Sequence, residues 1–225
     1  MLYYIGFMIL LMIIPLWAQS KVKGAYKKYS RVSNRNGMTG SEVARRILDD
    51  NGLFNVPVQE VAGELSDHYD PRKKVVNLST NIYHGSTIAG TAVAAHEVGH
   101  AIQDKRSYAP LRFRHALVPV ANIGSSLAFP LILIGGLFRV TDLALLGVIF
   151  FAAAVLFQIV TLPVEFNASR RAMKQVVSLG IVHGDERKGA RKMLTAAAMT
   201  YVAATVVALL QLLWFLLSFV GMSDD

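Results

Sequence analysis

Val93-Ala94-Ala95-His96-Glu97-Val98-Gly99-His100-Ala101-Ile102-Gln103 is the stretch on which the reading of this chain turns. Small, helix-compatible residues lead into His-Glu-x-x-His. On a helix, positions i and i+4 stack on one face, so the imidazoles of His96 and His100 can reach one tetrahedral Zn²⁺. The residue after the first His lies about 100° around the helix. From there the Glu97 carboxylate reaches a water held by the ion without displacing it. Glu97 is thus the candidate general base, taking that water's proton and passing it to a leaving amine. Gly99 costs about 1 kcal/mol of helix propensity, which makes sense where a second helix packs closely. The plain alternative is an amphipathic helix with two surface histidines.

Outward from this motif the chain is unusually apolar. It has 225 residues, 53% of them hydrophobic, and a mean hydropathy of +0.41. Four apolar runs, at 2–18, 117–138, 143–162 and 199–220, approach the ~20 residues needed to cross a bilayer. The first has no basic residue before it and a basic cluster after it, which favours a signal-anchor over a cleaved signal peptide. The net charge of +8 gathers beside these runs. Lys21, Lys23, Lys27, Lys28, Arg31 and Arg35 follow the first; Arg106, Arg112 and Arg114 precede the second. Arg170, Arg171 and Lys174 follow the third; Arg187, Lys188, Arg191 and Lys192 precede the fourth. The other side holds only Arg139, Asp142 and the acidic tail Asp224-Asp225. The positive-inside rule then places residues 19–116 and 163–192 in the cytoplasm and both termini outside. No nucleic-acid recognition motif accompanies the charge, so a lipid bilayer is the expected partner and nucleic acid is not. With no cysteine, a metal must be held by His and carboxylates.

Residues 19–116 read as a small extramembrane α+β region. Thr39-Gly40-Ser41-Glu42 is a capping box, and its helix ends at Asn51-Gly52. Residues 56–61 and 74–78 are β-prone, with Asp70-Pro71-Arg72-Lys73 a tight turn before the second. That second strand is expected to offer an exposed edge to an extended substrate. Ser86 is expected to cap the motif helix, which covers about 86–104. Gln103, Asp104 and Lys105 close it, placing the site at the cytoplasmic membrane surface.

Two histidines leave one protein ligand to find if a position stays open for water. Runs two and three form an out-and-back hairpin, so the end of run three returns to the motif's side. There, Pro163 suits the start of a new helical segment. Glu165 follows, sharing a small face with Ala168, Ser169 and Ala172 that can approach Gly99. An ion pair with Arg170 or Arg171 is the other role open to Glu165. Glu60, Glu64 and Asp67 are reserve ligands. Candidate donors to a developing oxyanion are His68, Tyr69, Arg170 and His183. His84 and His115 read as structural or interfacial.

The chain resembles the YugP-type neutral zinc metallopeptidases of bacterial membranes. The resemblance rests on Thr-Gly-Ser-Glu-Val-Ala-Arg (39–45), Ser-Asp-His-Tyr-Asp-Pro (66–71), residues 93–103 quoted above, and Leu-Pro-Val-Glu-Phe-Asn-Ala-Ser-Arg-Arg-Ala (162–172). More distantly it is similar to HtpX-like membrane gluzincins, where a Glu opens Glu-x-x-x-Asp. Here Ser169 stands at the Asp position, so no carboxylate partner comes from it. The resemblance implies one Zn²⁺ per chain on His96, His100 and Glu165, with Glu97 as base. The expectation is an α-helical membrane protein with four transmembrane helices and a small α+β, zincin-like cytoplasmic portion. It would be a multi-pass protein of a bacterial plasma membrane that hydrolyses peptide bonds with a zinc-activated water. Its partners would be protein or peptide substrates, membrane proteins among them. A homo-oligomer or a membrane protein partner is compatible with small faces at Gly135-Gly136 and at 196–198. The alternatives are an intramembrane-cleaving zinc protease, a non-catalytic scaffold with a structural zinc, and a metal transporter. Asn122, Ser125 and Ser126 are the only polar cluster in the runs that a transporter could use.

Overall fold

The computed structural model describes residues 2–223; Met1 and the acidic pair Asp224-Asp225 lie outside the described residues. In chain order the elements are α1 (Leu2–Tyr29), α2 (Gly40–Asp50), β1 (Val58–Val61), β2 (His68–Asp70), β3 (Val75–Ser79), α3 (Thr80–His84), α4 (Ile88–Lys105), α5 (Ala109–Leu137), α6 (Thr141–Ser178) and α7 (Gly184–Ser223). The protein is therefore mostly helical with one small sheet. Four helical stretches are long and apolar enough to cross a membrane: Ile5–Tyr29, Ala109–Leu137, Thr141–Ser178 and Gly184–Ser218. The chain divides into two compact units. One comprises residues 1–17, 109–163 and 200–225, and the other 18–108 and 164–199.

The first unit is built from apolar helix. Large side chains such as Met12, Phe129, Leu133 and Leu217 stand exposed, as lipid-facing residues do. Backbones meet where side chains vanish: a Cβ on Gly135 would lie 2.4 Å from the backbone nitrogen of Ala144. Several polar side chains here bond within their own helix. Ser125 and Ser126 both donate to the carbonyl of Asn122, and Thr161 to that of Phe157.

Pro163 does not open a new helix. It lies inside α6, which runs unbroken from Thr141 to Ser178. A proline removes one backbone bond, and apolar helices tolerate that loss better than unwinding, which would free several.

The second unit carries the sheet and α2, α3 and α4. Thr39 caps α2: its Oγ1 accepts from the Glu42 amide, while the Glu42 carboxylate accepts from the Thr39 amide at 2.8 Å. The helix stops at Asn51, and Gly52 takes the left-handed φ of +63° that the turn requires. Val43, Ala44, Ile47 and Leu48 form the buried face of α2. They join Val76, Leu78, Ile82, Ala94, Ala95, Val98 and Ile102 in one core. The helix α4 starts one residue later than the sequence indicates. Thr87, not Ser86, is the cap and accepts from the Gly90 amide, while the Ser86 hydroxyl is bonded to the carbonyl of Gly37.

The sheet has the order β1-β3-β2, with β1 parallel and β2 antiparallel to β3. This corrects the expectation of an exposed edge at 74–78. That strand is central and wholly buried, and the edges are β1 and β2. Three-residue β2 has no apolar alternation of its own and is held by tertiary contacts. The turn before β3 is as expected, with Asp70 Oδ1 accepting from the amides of Arg72 and Lys73.

Thr39→Ala removes one half of the capping box. Thermal unfolding of the detergent-solubilised protein, followed by circular dichroism, should show a loss of about 1 kcal/mol with unchanged metal content.

Candidate metal centre

Helix α4 presents His96 and His100 on one face, and α6 presents Glu165 opposite them. The approach is set by Gly99. A Cβ at that position would lie 2.7 Å from the carbonyl oxygen of Ala168, so any larger residue would push the two helices apart. The small residues Ala168 and Ala172 of α6 are buried as well. In consequence Glu165 Oε2 lies 3.2 Å from His96 Nε2 and 3.6 Å from His100 Nε2. One donor atom from each of these three side chains falls within 4.8 Å of the others, so the group can hold a metal ion. Glu165 keeps 3% of its side chain exposed and His96 15%. Solvent therefore reaches the group on the histidine side and not behind the carboxylate.

The other ring nitrogens are engaged too. His100 Nδ1 lies 3.0 Å from Gln103 Oε1. Gln103 is fully buried, and its Nε2 donates to the carbonyl of Val164 at 2.8 Å and to Asn167 Oδ1 at 3.0 Å. Two acceptors thus fix which end of the amide is nitrogen, and the oxygen facing His100 must receive a proton. In its neutral form His100 carries its hydrogen on Nδ1, and Nε2 is left as a lone pair aimed at the group. His96 Nδ1 meets Ser169 Oγ at 3.2 Å, a hydroxyl that can accept the ring N–H in the same way. Two imidazole nitrogens and one carboxylate oxygen make a donor set suited to zinc, with room for a fourth ligand. Without an ion, burial opposes a charge on His100. The Glu165 carboxylate, Glu97 and Gln103 outweigh burial and raise its pKa above the ordinary histidine value. A metal must displace that proton.

Glu97 is buried on the same helix. Its Oε2 accepts a hydrogen bond from the backbone amide of Tyr69 at 3.0 Å. The Tyr69 phenol donates to Asp104 Oδ2 at 2.9 Å, so it is already spent. His68 is bonded to the carbonyl of Ser66 and to Asn77. The His183 amide is bonded to Glu186, and Arg170 is exposed. None of the three reserve ligands joins the metal-facing group: Glu60 pairs with His84, Asp67 accepts from Ser79, and Glu64 is exposed. Sequence reasoning missed two supports. Gln103 sits three residues from His100 on the same face, a spacing that could have flagged it. The Tyr69 amide has no sequence signature, since any residue offers an N–H.

Comparisons with known proteins place the chain among membrane metallopeptidase relatives. A family described as "Putative neutral zinc metallopeptidase" matches residues 4–220. A curated relative in Bacillus subtilis (strain 168), "Putative membrane protease YugP", is 51% identical over 213 residues, covering 94% of each chain. No solved structure matches.

Gln103→Leu strips His100 of its acceptor and removes the side-chain bonds to Val164 and Asn167. Zinc affinity, read by competition with a chromophoric chelator, should fall by about 10- to 100-fold while helix content is retained.

Proposed function

The chain belongs to the neutral zinc metallopeptidase family, and we propose that it is a membrane-anchored zinc endopeptidase with its site at the cytoplasmic membrane surface. One observation carries this reading: His96, His100 and Glu165 converge from two helices, and Glu97 is held on the next flank of the same helix.

His96 and His100, through Nε2, and Glu165 would hold the ion. Zinc so bound supplies Lewis acidity, polarising a peptide carbonyl and making water a nucleophile near neutral pH. The remaining work belongs to the chain. Gln103 and Ser169 hold the imidazoles in the tautomer that ligates. Glu97 takes the proton of the attacking water and hands it to the leaving amine. Its Oε2 is committed to the Tyr69 amide, which leaves Oε1 to carry that proton. An extended peptide is the natural substrate form, since a main-chain amide and carbonyl are all that this chemistry reads. The core of apolar and small side chains around α4 keeps bulk water from competing at the carboxylates.

Charge supports the placement. The basic clusters at 21–35, 106–114, 170–174 and 187–192 flank the candidate spans on one side. The termini would then be outside, in a bacterial plasma membrane. Helix α4 is not among the helices apolar enough to cross, which disfavours cleavage within the bilayer. The hydroxyls of Ser125 and Ser126 are bonded to a backbone carbonyl inside α5, which disfavours a transport path.

Two experiments test this. Zinc content and cleavage of an unstructured protein are measured for wild type, Glu97→Gln and Glu165→Ala. Wild type and Glu97→Gln should each hold about one zinc per chain, and Glu165→Ala much less. Glu97→Gln should lose at least about 100-fold in rate. Equal rates in wild type and Glu97→Gln would remove Glu97 as the base; zinc without cleavage of any substrate would leave a structural site. The absence of native cysteine makes topology direct to read. A membrane-impermeant thiol reagent on intact cells should label Arg139→Cys and leave Lys73→Cys unlabelled.

A further inference from the structure

Tyr69 makes two separated contacts with one helix. Its amide bonds to the Glu97 carboxylate and its phenol to Asp104, at 3.0 and 2.9 Å. Glu97 and Asp104 are seven residues apart, two turns of α4, so they share a face about 10 Å apart along its axis. A single residue of β2 thus spans two helical turns. Since its amide is directed at Glu97, the pairing of Tyr69 with Val76 is of the type without mutual hydrogen bonds. His68 and Asp70, on either side, tie β2 to β3, and β3 is buried in the core. The amide that holds Glu97 is therefore fixed from the sheet side by β3 and from the helix side by Asp104.

This matters because a glutamate side chain has three rotatable bonds. A general base works only within hydrogen-bond reach of the proton it takes. Burial alone does not choose a rotamer, whereas a directed N–H does. The phenol also stays protonated. Its burial and the neighbouring Asp104 carboxylate push its pKa well above the ordinary tyrosine value. It therefore remains a donor to Asp104 in a charge-assisted bond. The ring packs against the core, a role that phenylalanine would fill equally well. The hydroxyl is the part that packing does not explain.

We propose that Tyr69 and Asp104 form a two-point clamp that lays β2 along α4 and fixes the rotamer of Glu97, making Tyr69 a positioning residue for the base. The proposal rests on the reading of Glu97 as base, but the clamp can be observed without turnover.

The test uses the full-length zinc-loaded protein in detergent, with Tyr69→Phe, Asp104→Ala, Asp104→Asn and the double variant Tyr69→Phe/Asp104→Ala. A fluorogenic peptide reads kcat and KM, and hydrogen exchange with mass spectrometry reads the peptide containing residue 69. Tyr69→Phe should lower kcat by about 10- to 100-fold with little change in KM, at unchanged zinc content. Asp104→Asn, which keeps an acceptor oxygen, should recover part of the rate lost in Asp104→Ala. The double variant should be no slower than the worse single one, as for two halves of one contact. The residue 69 peptide should exchange faster in Tyr69→Phe and Asp104→Ala. Wild-type kcat in Tyr69→Phe, or losses that add in the double variant, would overturn the proposal. So would a rate loss that merely tracks lost zinc, since that is a structural role. If wild type cleaves nothing, the peptidase reading fails on its own, and exchange still decides the clamp: unchanged protection in Tyr69→Phe would overturn it.

Discussion

Everything at the metal-facing group depends on how closely α4 approaches α6. The two helices touch backbone to backbone at Gly99 and Ala168, with no room for a single added carbon. A glutamate side chain is short, and its oxygen must fall between two imidazoles one helical turn apart. Had Gly99 been alanine, the helix would have gained propensity, and the pair of helices would have had to separate. Local stability and site geometry pull in opposite directions here, and the residue present is the one that favours the site.

The same approach makes the supporting network possible. Gln103 is buried without a charge, and its amide is useful only because the Val164 carbonyl and Asn167 are within reach on α6. Ser169 reaches His96 from one turn beyond Glu165. These bonds and the helix packing are mutually conditional. Separating the helices would break all of these bonds at once, and losing them would leave buried polar atoms with no water to replace their partners.

How much of this could be read in the sequence follows from how local each feature is. His96 and His100 are legible because one helix brings them together whatever the rest of the chain does. The cap at Thr39 is legible for the same reason, being decided within four residues. Glu165 needed an argument from topology, that two apolar runs turn back on each other. The sheet was the least legible. His68–Asp70 is too short and too polar to show alternation, and its pairing with β3 made a supposed edge into the centre. Pro163 misled for a related reason. Its local preference is to begin a helix, but α6 runs through it.

Ser169 shows how a departure from a related motif is absorbed. Where the Glu-x-x-x-Asp pattern has an aspartate, this chain has Ser169, whose hydroxyl meets His96 Nδ1. An aspartate there would strengthen the imidazole's donation and add a negative charge beside Glu165 and Glu97. A serine orients the ring without that charge. Gln103 does likewise for His100. Both histidines are thus steered by neutral partners. Among the side chains that meet the histidines or lie beside them on α4, negative charge is confined to Glu165 and Glu97, which the proposed mechanism uses to hold an ion and to move a proton. With no third carboxylate competing, the pairing of Glu97 with a backbone amide rather than a cation becomes intelligible. The amide gives Glu97 a directed partner without placing a positive charge beside it.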